Sequence, residues 1–119
     1  MIPVLRQEES ALARVEQAQG SLFVSVITPG ELRFGARKSN RIEENLQRVE
    51  QFAAESEVLL CDEETSRLYG EIKDGLRRKG LPIPENDVCI SATALQSGLV
   101  LVTRDAHFEH VDGLKIERW

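Results

Sequence analysis

In Ser21-Leu22-Phe23-Val24-Ser25-Val26-Ile27-Thr28-Pro29-Gly30-Glu31 a strand gives way to a helix within eleven residues. Ser21 to Ile27 is short, apolar and β-branched, which reads as a strand. The next four residues carry helix-start chemistry. Thr28 fits the N-cap and Pro29 the first helical position. Glu31 falls three residues after the cap, where a capping box places its acid. The predicted helix runs to about Lys38. A strand that feeds directly into a helix suits a parallel sheet, because parallel neighbours need a crossover of a dozen or more residues.

The same alternation continues outward. Upstream, residues 4–18 read as a helix through Leu5, Leu12 and Val15, ending near Gly20. Downstream, Asn40 is placed to cap a helix carrying Ile42, Leu46, Val49 and Phe52 at helical spacing. Val58 to Cys61 is a short strand. Asp62 caps a third helix, which has Glu63 and Glu64 in its first turn and Leu68, Ile72 and Leu76 on one face, and which stops at Gly80. Leu81 to Pro84 is extended, since two prolines so close do not sit inside a helix. Asn86 is placed to cap a helix with Ile90, Ala94 and Leu95 inward, ending at Gly98. Leu99 to Val102 is apolar throughout, the pattern of a strand buried on both faces. Leu114 to Ile116 forms a last short strand. This order implies an α/β fold with a mainly parallel sheet flanked by helices.

A chain of 119 residues fits a single domain, residues 1–119. Its 41% hydrophobic and 29% charged content is that of a globular protein, and its 5% aromatic content makes the core aliphatic. A net charge of −5 excludes bulk attraction as the force that brings in a nucleic acid. Binding to RNA would need local basic residues or a bridging metal ion. Cys61 and Cys89 lie in apolar runs and are expected to be buried free thiols in a reducing compartment. No run approaches the 18 apolar residues of a membrane span, and Arg6, Glu8 and Glu9 break any secretory leader. The expectation is a cytoplasmic protein with no membrane association.

Parallel sheets hold their ligands at the carboxyl ends of the strands. Glu31 follows the first strand, Asp105 follows Leu99–Val102, and Asp87 opens the helix before it. Converging carboxylates repel one another unless a cation sits between them, and hard divalent ions such as Mg²⁺ and Mn²⁺ take oxygen ligands. That chemistry points to metal-assisted phosphodiester hydrolysis. Each acid also has a plainer role: Glu31 in the capping box, Asp87 at a helix N-terminus, Asp105 in a turn. His107 and His110 beside Asp105 resemble transition-metal spacing only loosely. No nucleophile elbow or phosphate-binding glycine loop is present. Arg33, Arg37, Lys38 and Arg41 begin beside Glu31 and are candidates for a phosphate backbone. Arg77, Arg78 and Lys79 suit the end of their helix.

Three segments together resemble PIN domains, especially the VapC-like toxin ribonucleases of type II toxin–antitoxin pairs. Val26-Ile27-Thr28-Pro29-Gly30-Glu31-Leu32-Arg33-Phe34-Gly35 is similar to the segment that carries that family's second acid. Ile83-Pro84-Glu85-Asn86-Asp87-Val88-Cys89-Ile90-Ser91-Ala92-Thr93-Ala94-Leu95 is similar to the segment of the third. Leu101-Val102-Thr103-Arg104-Asp105-Ala106-His107-Phe108 resembles the Thr-x-Asp-x-Asp-Phe segment of the fourth. The tail Val111 to Trp119 matches the family's usual ending.

The resemblance implies a three-layer PIN-like fold and a Mg²⁺ or Mn²⁺ site held by Glu31, Asp87 and Asp105, which would also orient or deprotonate the attacking water. It implies support from Thr103 and Asn86, with Glu85 nearby, and it implies endoribonuclease activity on RNA, a cognate antitoxin and homodimerisation. His107 stands where the fourth motif often has another acid. The family's first strand, with its Asp-Thr-Asn-type motif, has no counterpart before Met1-Ile2-Pro3-Val4. A shortened copy of an active parent, a naturally short domain that holds metal weakly, and an inactive module that binds an antitoxin or dimer partner all stay open.

Overall fold

The structure, a computed structural model, describes residues 23–118. The expected helix over 4–18 lies outside the described residues. The chain divides into two compact units, Met1–Leu59 and Leu60–Trp119.

In the first unit β1 (Phe23–Ser25) leads into α1 (Ile27–Arg37), followed by α2 (Ile42–Ala54) and β2 (Glu57–Leu59). β1 and β2 pair in parallel, with Val24 opposite Val58, and the Val26 N–H extends the ladder by donating to the Leu59 carbonyl at 2.9 Å. Buried Val24, Leu32, Ala36, Val49 and Phe52 form an interior that is mainly aliphatic, as expected from the composition. Leu32 and Ala36 recur at helical spacing on α1, as do Val49 and Phe52 on α2, so each helix buries one stripe.

Two helix starts differ from the sequence expectation. The chain already turns at Val26 (φ −58°, ψ −21°), so α1 begins at Ile27 and Thr28 is its second residue, not its cap. Ser25 Oγ takes the Ile27 N–H at 3.2 Å in its place. Pro29 then sits at the third helical position, where a missing N–H costs nothing because the first four have no intrahelical partner. Asn40 is not a cap either. The first helical bond of α2 runs from the Asn45 N–H to the Arg41 carbonyl at 2.9 Å, while the Asn45 amide donates to Ser39 Oγ at 2.9 Å.

In the second unit α3 (Glu63–Lys79) packs on α4 (Glu85–Ser97), followed by β3 (Leu101–Val102), a 3₁₀ helix (Ala106–His110) and β4 (Ile116–Glu117). Asp62 caps α3 as expected. It accepts the Thr65 N–H at 3.1 Å, and its own N–H donates to Thr65 Oγ1 at 2.9 Å. Thr65 is the residue a capping box usually fills with Glu or Gln. α3 and α4 both end on a left-handed glycine, Gly80 (φ 71°) and Gly98 (φ 66°), where any other residue is strained. Ile72, Leu76, Val88, Ala92 and Val111 form the core of this unit, with Leu68, Tyr69, Ile83, Leu95 and Leu114 packed around them.

Asn86 does not cap α4. Pro84, extended at ψ 148°, holds the N-cap position, and its carbonyl accepts from the Asp87 and Val88 N–H groups at 3.0 and 3.1 Å. β3 is shorter than expected and is not buried on both faces: Val102 is only half-buried, and Val100, expected in the strand, lies before it and is 49% exposed. The reason is the helix before it: the Leu99 N–H donates to the Ala94 carbonyl at 3.0 Å, so Leu99 closes α4 and the ladder starts at Leu101. β3 pairs with β4 in parallel, Leu101 opposite Ile116. Cys61 is exposed and Cys89 half-buried, against the expectation of two buried thiols, because β2 ends at Leu59 and leaves Leu60 and Cys61 outside the ladder.

Candidate functional site

The second unit brings together two of the nominated acids and one residue that was not nominated. Asp87 lies in the first turn of α4, between exposed Asn86 and buried Val88. An acid that serves only the helix dipole keeps its carboxylate in water. The Asp87 side chain is instead 8% exposed, and its Oδ2 lies 2.6 Å from His107 Nε2. Burial pushes the Asp87 carboxyl above the usual range. The hydrogen bond and charge of His107 pull it back in part, and the negative charge of Asp105 raises it further.

Asp105 follows β3 as the spacing predicts and is half-buried. Its N–H donates to Thr103 Oγ1 at 3.1 Å, so the fully buried Thr103 hydroxyl sets the turn that aims the acid. The Thr103 N–H in turn donates to the Glu117 carbonyl at 3.1 Å, which ties the turn to the β3–β4 ladder. The 3₁₀ helix then carries the chain back. Phe108, 0% exposed, anchors it, and the His107 ring rests against Phe108 with centroids 4.9 Å apart. On the outer side Arg118 Nη2 meets Glu109 Oε2 at 3.1 Å.

His107 is the functional candidate that sequence reasoning passed over. The sequence offered it only as a loose metal spacing with His110 and as a missing acid, yet it makes the direct contact to Asp87 across twenty positions of chain. Glu85 turns away from the pair: its carboxylate meets Lys73 of α3, which holds the Glu85 carboxyl below its usual range and the Lys73 ammonium above its own.

Glu31 belongs to the first unit. It is half-buried on α1, four residues beyond Ile27, where α1 starts. Because the helix starts at Ile27 with no side-chain cap, the capping-box explanation of Glu31 falls away. Of the basic residues beside it, Arg33 pairs with Glu50 at 3.1 Å and Arg41 with Glu44 at 3.4 Å. Lys38 lies over the exposed Phe34 ring, 4.8 Å from its centroid. Arg77 and Arg78 both bind Asp74, and Lys79 reaches the His110 carbonyl and Asp112, so the end of α3 is neutralised locally. Among the described residues no three His, Cys, Asp or Glu side chains are grouped to hold a metal ion, and no helix is long and apolar enough to cross a membrane.

An α/β chain of parallel strand pairs, with carboxylates at a strand end and a helix start, has the class of fold that its motifs resemble. The comparison with known families is specific: residues 2–114 match the PIN domain model, and the chain belongs to the PIN domain family. It is 36% identical to the ribonuclease VapC2 of Haemophilus influenzae over 117 residues, covering 98% of this chain and 89% of that protein. It is 41% identical to the tRNA(fMet)-specific endonuclease VapC of Salmonella typhimurium over 99 residues, 82% of this chain and 75% of that one. Among solved structures it resembles the DNA-bound VapBC of Salmonella typhimurium, with a TM-score of 0.85, 36% identity, and coverage of 98% of this chain and 89% of the other. The VapBC2 complex of Rickettsia felis bound to a promoter DNA fragment superposes with a TM-score of 0.84 at 27% identity, covering 98% and 90%.

Proposed function

We propose that this chain is a metal-dependent endoribonuclease, the toxin of a toxin–antitoxin pair, acting as one PIN-like domain over residues 1–119. The observation that carries the reading is Asp87, a carboxylate buried at a helix start and raised by that burial, with His107 2.6 Å from it and the charge of Asp105 also acting on it. A carboxyl in that position is costly as an anion unless a cation offsets it. An all-oxygen donor pair fits a hard divalent ion, Mg²⁺ or Mn²⁺. Asp87 and Asp105 would hold it, and Glu31 is proposed as the third acid. Such an ion, when bound, supplies Lewis-acid polarisation of a phosphate.

The chain's own groups do the rest. Thr103 fixes the Asp105 turn through its buried hydroxyl. Asn86, exposed next to Asp87 on the first turn of α4, is proposed as the supporting residue there. Arg37 and Lys38, which pair with no acid among the described residues, are the part of the basic set free to meet a phosphate backbone, with Arg33 and Arg41 joining once their surface pairs open. An antitoxin of the kind held by the VapBC relatives is the proposed partner, together with a second copy of this chain and a cytoplasmic setting.

The test is calorimetric titration of MnCl₂ into the parent protein, Glu31→Gln and Asp87→Asn, with circular dichroism to confirm folding. Both substitutions are expected to weaken binding about tenfold or more. Unchanged affinity in both would remove the metal site. A protein that binds an antitoxin yet leaves RNA intact would establish the inactive-module reading instead.

A further inference from the structure

Phe34 is 64% exposed, the most exposed large apolar side chain of the first unit among the described residues. One exposed ring is ordinary on a protein surface, and it is the surroundings that set this one apart. Gly30, Phe34, Arg37 and the C-cap Lys38 are all exposed and recur at helical spacing, so they share one outer stripe of α1. Side chains on a helix lean toward its N-terminus, so Lys38 reaches back over Phe34, and its Nζ lies 4.8 Å from the ring centroid. On the other side of the ring, one turn earlier, a Cβ built at Gly30 meets nothing within 4 Å, so that space is open. Glu31 precedes Phe34 by three residues and is its neighbour on the helix surface.

We infer that Phe34 is a stacking platform for one unpaired base of an RNA strand, with Arg37 and Lys38 meeting the phosphates on either side of that base. The inference rests on the RNA-cleaving reading above and adds a contact to the base, where the basic residues alone supply contacts to the backbone. An aromatic ring flanked by cations is how single-stranded nucleic acid is held without sequence readout, since every base has a π-face. A protein partner suits the stripe less well. The core of a protein interface is apolar and depleted of lysine, whereas this stripe has one apolar side chain beside two cations. The spacing to Glu31 sets a stacked base next to the acid proposed for the site, so the platform would position the strand there.

The test is fluorescence polarisation of a labelled 2′-O-methyl octaadenylate, which cannot be cleaved through its 2′-hydroxyl, with the full chain in the presence of a chelator. An abasic strand of the same length and charge is the control. The parent is expected to prefer the adenylate on the order of tenfold, Phe34→Leu to lose that preference, and Phe34→Trp to keep it. Lys38→Gln is expected to make the slope of log affinity against log salt shallower by about 0.7, and Phe34→Leu to leave the slope unchanged. No binding by the parent, or a base preference that survives in Phe34→Leu, overturns the platform. So does a Phe34→Leu variant that loses self-association or antitoxin binding while holding the adenylate as the parent does, which would mark the stripe as a protein interface. Because no metal is present, the outcome is separate from that of the nuclease reading. RNA cleaved equally by the parent and Phe34→Leu, with the base preference intact in both, removes the platform and leaves the nuclease; a base preference that depends on Phe34 in a chain that cleaves no RNA does the reverse.

Discussion

Replacing Phe108 by leucine tests whether the 3₁₀ helix is held as the packing indicates. Phe108 is 0% exposed and is the buried anchor of Ala106–His110. Leucine has three fewer side-chain carbons, and at ~0.8 kcal/mol per buried carbon the loss is roughly 2 kcal/mol, with a further cost if the cavity does not close. For a chain of this size that corresponds to about 6–12 °C in Tm. Phe108→Ala would cost about 3–5 kcal/mol, a large share of a typical domain's stability of roughly 5–15 kcal/mol, so leucine is the informative change. Urea unfolding followed by far-ultraviolet circular dichroism reads the difference, with the m-value checked for two-state behaviour. Because Asp105 and His107 both lie just before Phe108, Mn²⁺ affinity should fall with stability. A leucine variant within about 0.5 kcal/mol of the parent at an unchanged m-value would refute the anchoring role.

Other outcomes follow from single contacts. Asp87→Asn keeps an acceptor for His107 and removes the buried charge. The carboxyl is raised in the folded state, so its stabilising contribution is present below the unfolded value of about 3.9 and is lost as the pH rises through the folded value. In chelator-treated protein the variant should therefore melt higher than the parent at neutral pH and converge with it near pH 4, as scanning calorimetry would reveal; a lower Tm at neutral pH contradicts the assignment. Thr65 is buried and holds the α3 cap through Asp62 and Gln96, so Thr65→Val should cost about 1–2 kcal/mol in urea unfolding, and a neutral result would mean the cap network is idle. Gly80→Ala places a side chain at φ 71° and should destabilise by roughly 1 kcal/mol in the same assay, although its surroundings are open.

The order of elements was readable because apolar runs and stop signals are local. Gly80 and Gly98 end their helices where expected, and Asp62 caps where its position predicts. The misplaced caps share one cause. Thr28, Asn40 and Asn86 are all suitable residue types, but the position of a cap depends on where the backbone turns, which is two residues earlier at Val26 and Pro84 and one residue later at Arg41. Leu99 read as strand because its side chain is apolar, whereas its N–H serves α4. The 3₁₀ helix over Ala106–His110 has no apolar periodicity to reveal it; of its five residues only Phe108 is buried. Asp105 and Thr103 were legible from the strand end and the motif. The His107 contact was not, because Asp87 and His107 belong to different elements and no spacing rule joins them.

The central claim is that Asp87 and Asp105 form the working part of a divalent-metal ribonuclease site. Its most direct measurement is cleavage of a labelled RNA by the purified chain in MnCl₂ or MgCl₂, set beside Asp105→Asn, whose fold and Thr103 hydrogen bond are expected to persist. Cleavage is expected to stop with a chelator and to fall at least about a hundredfold in Asp105→Asn, the range typical for losing a group that acts on the reacting atoms. Equal cleavage by the two proteins, or cleavage that survives the chelator, would contradict it.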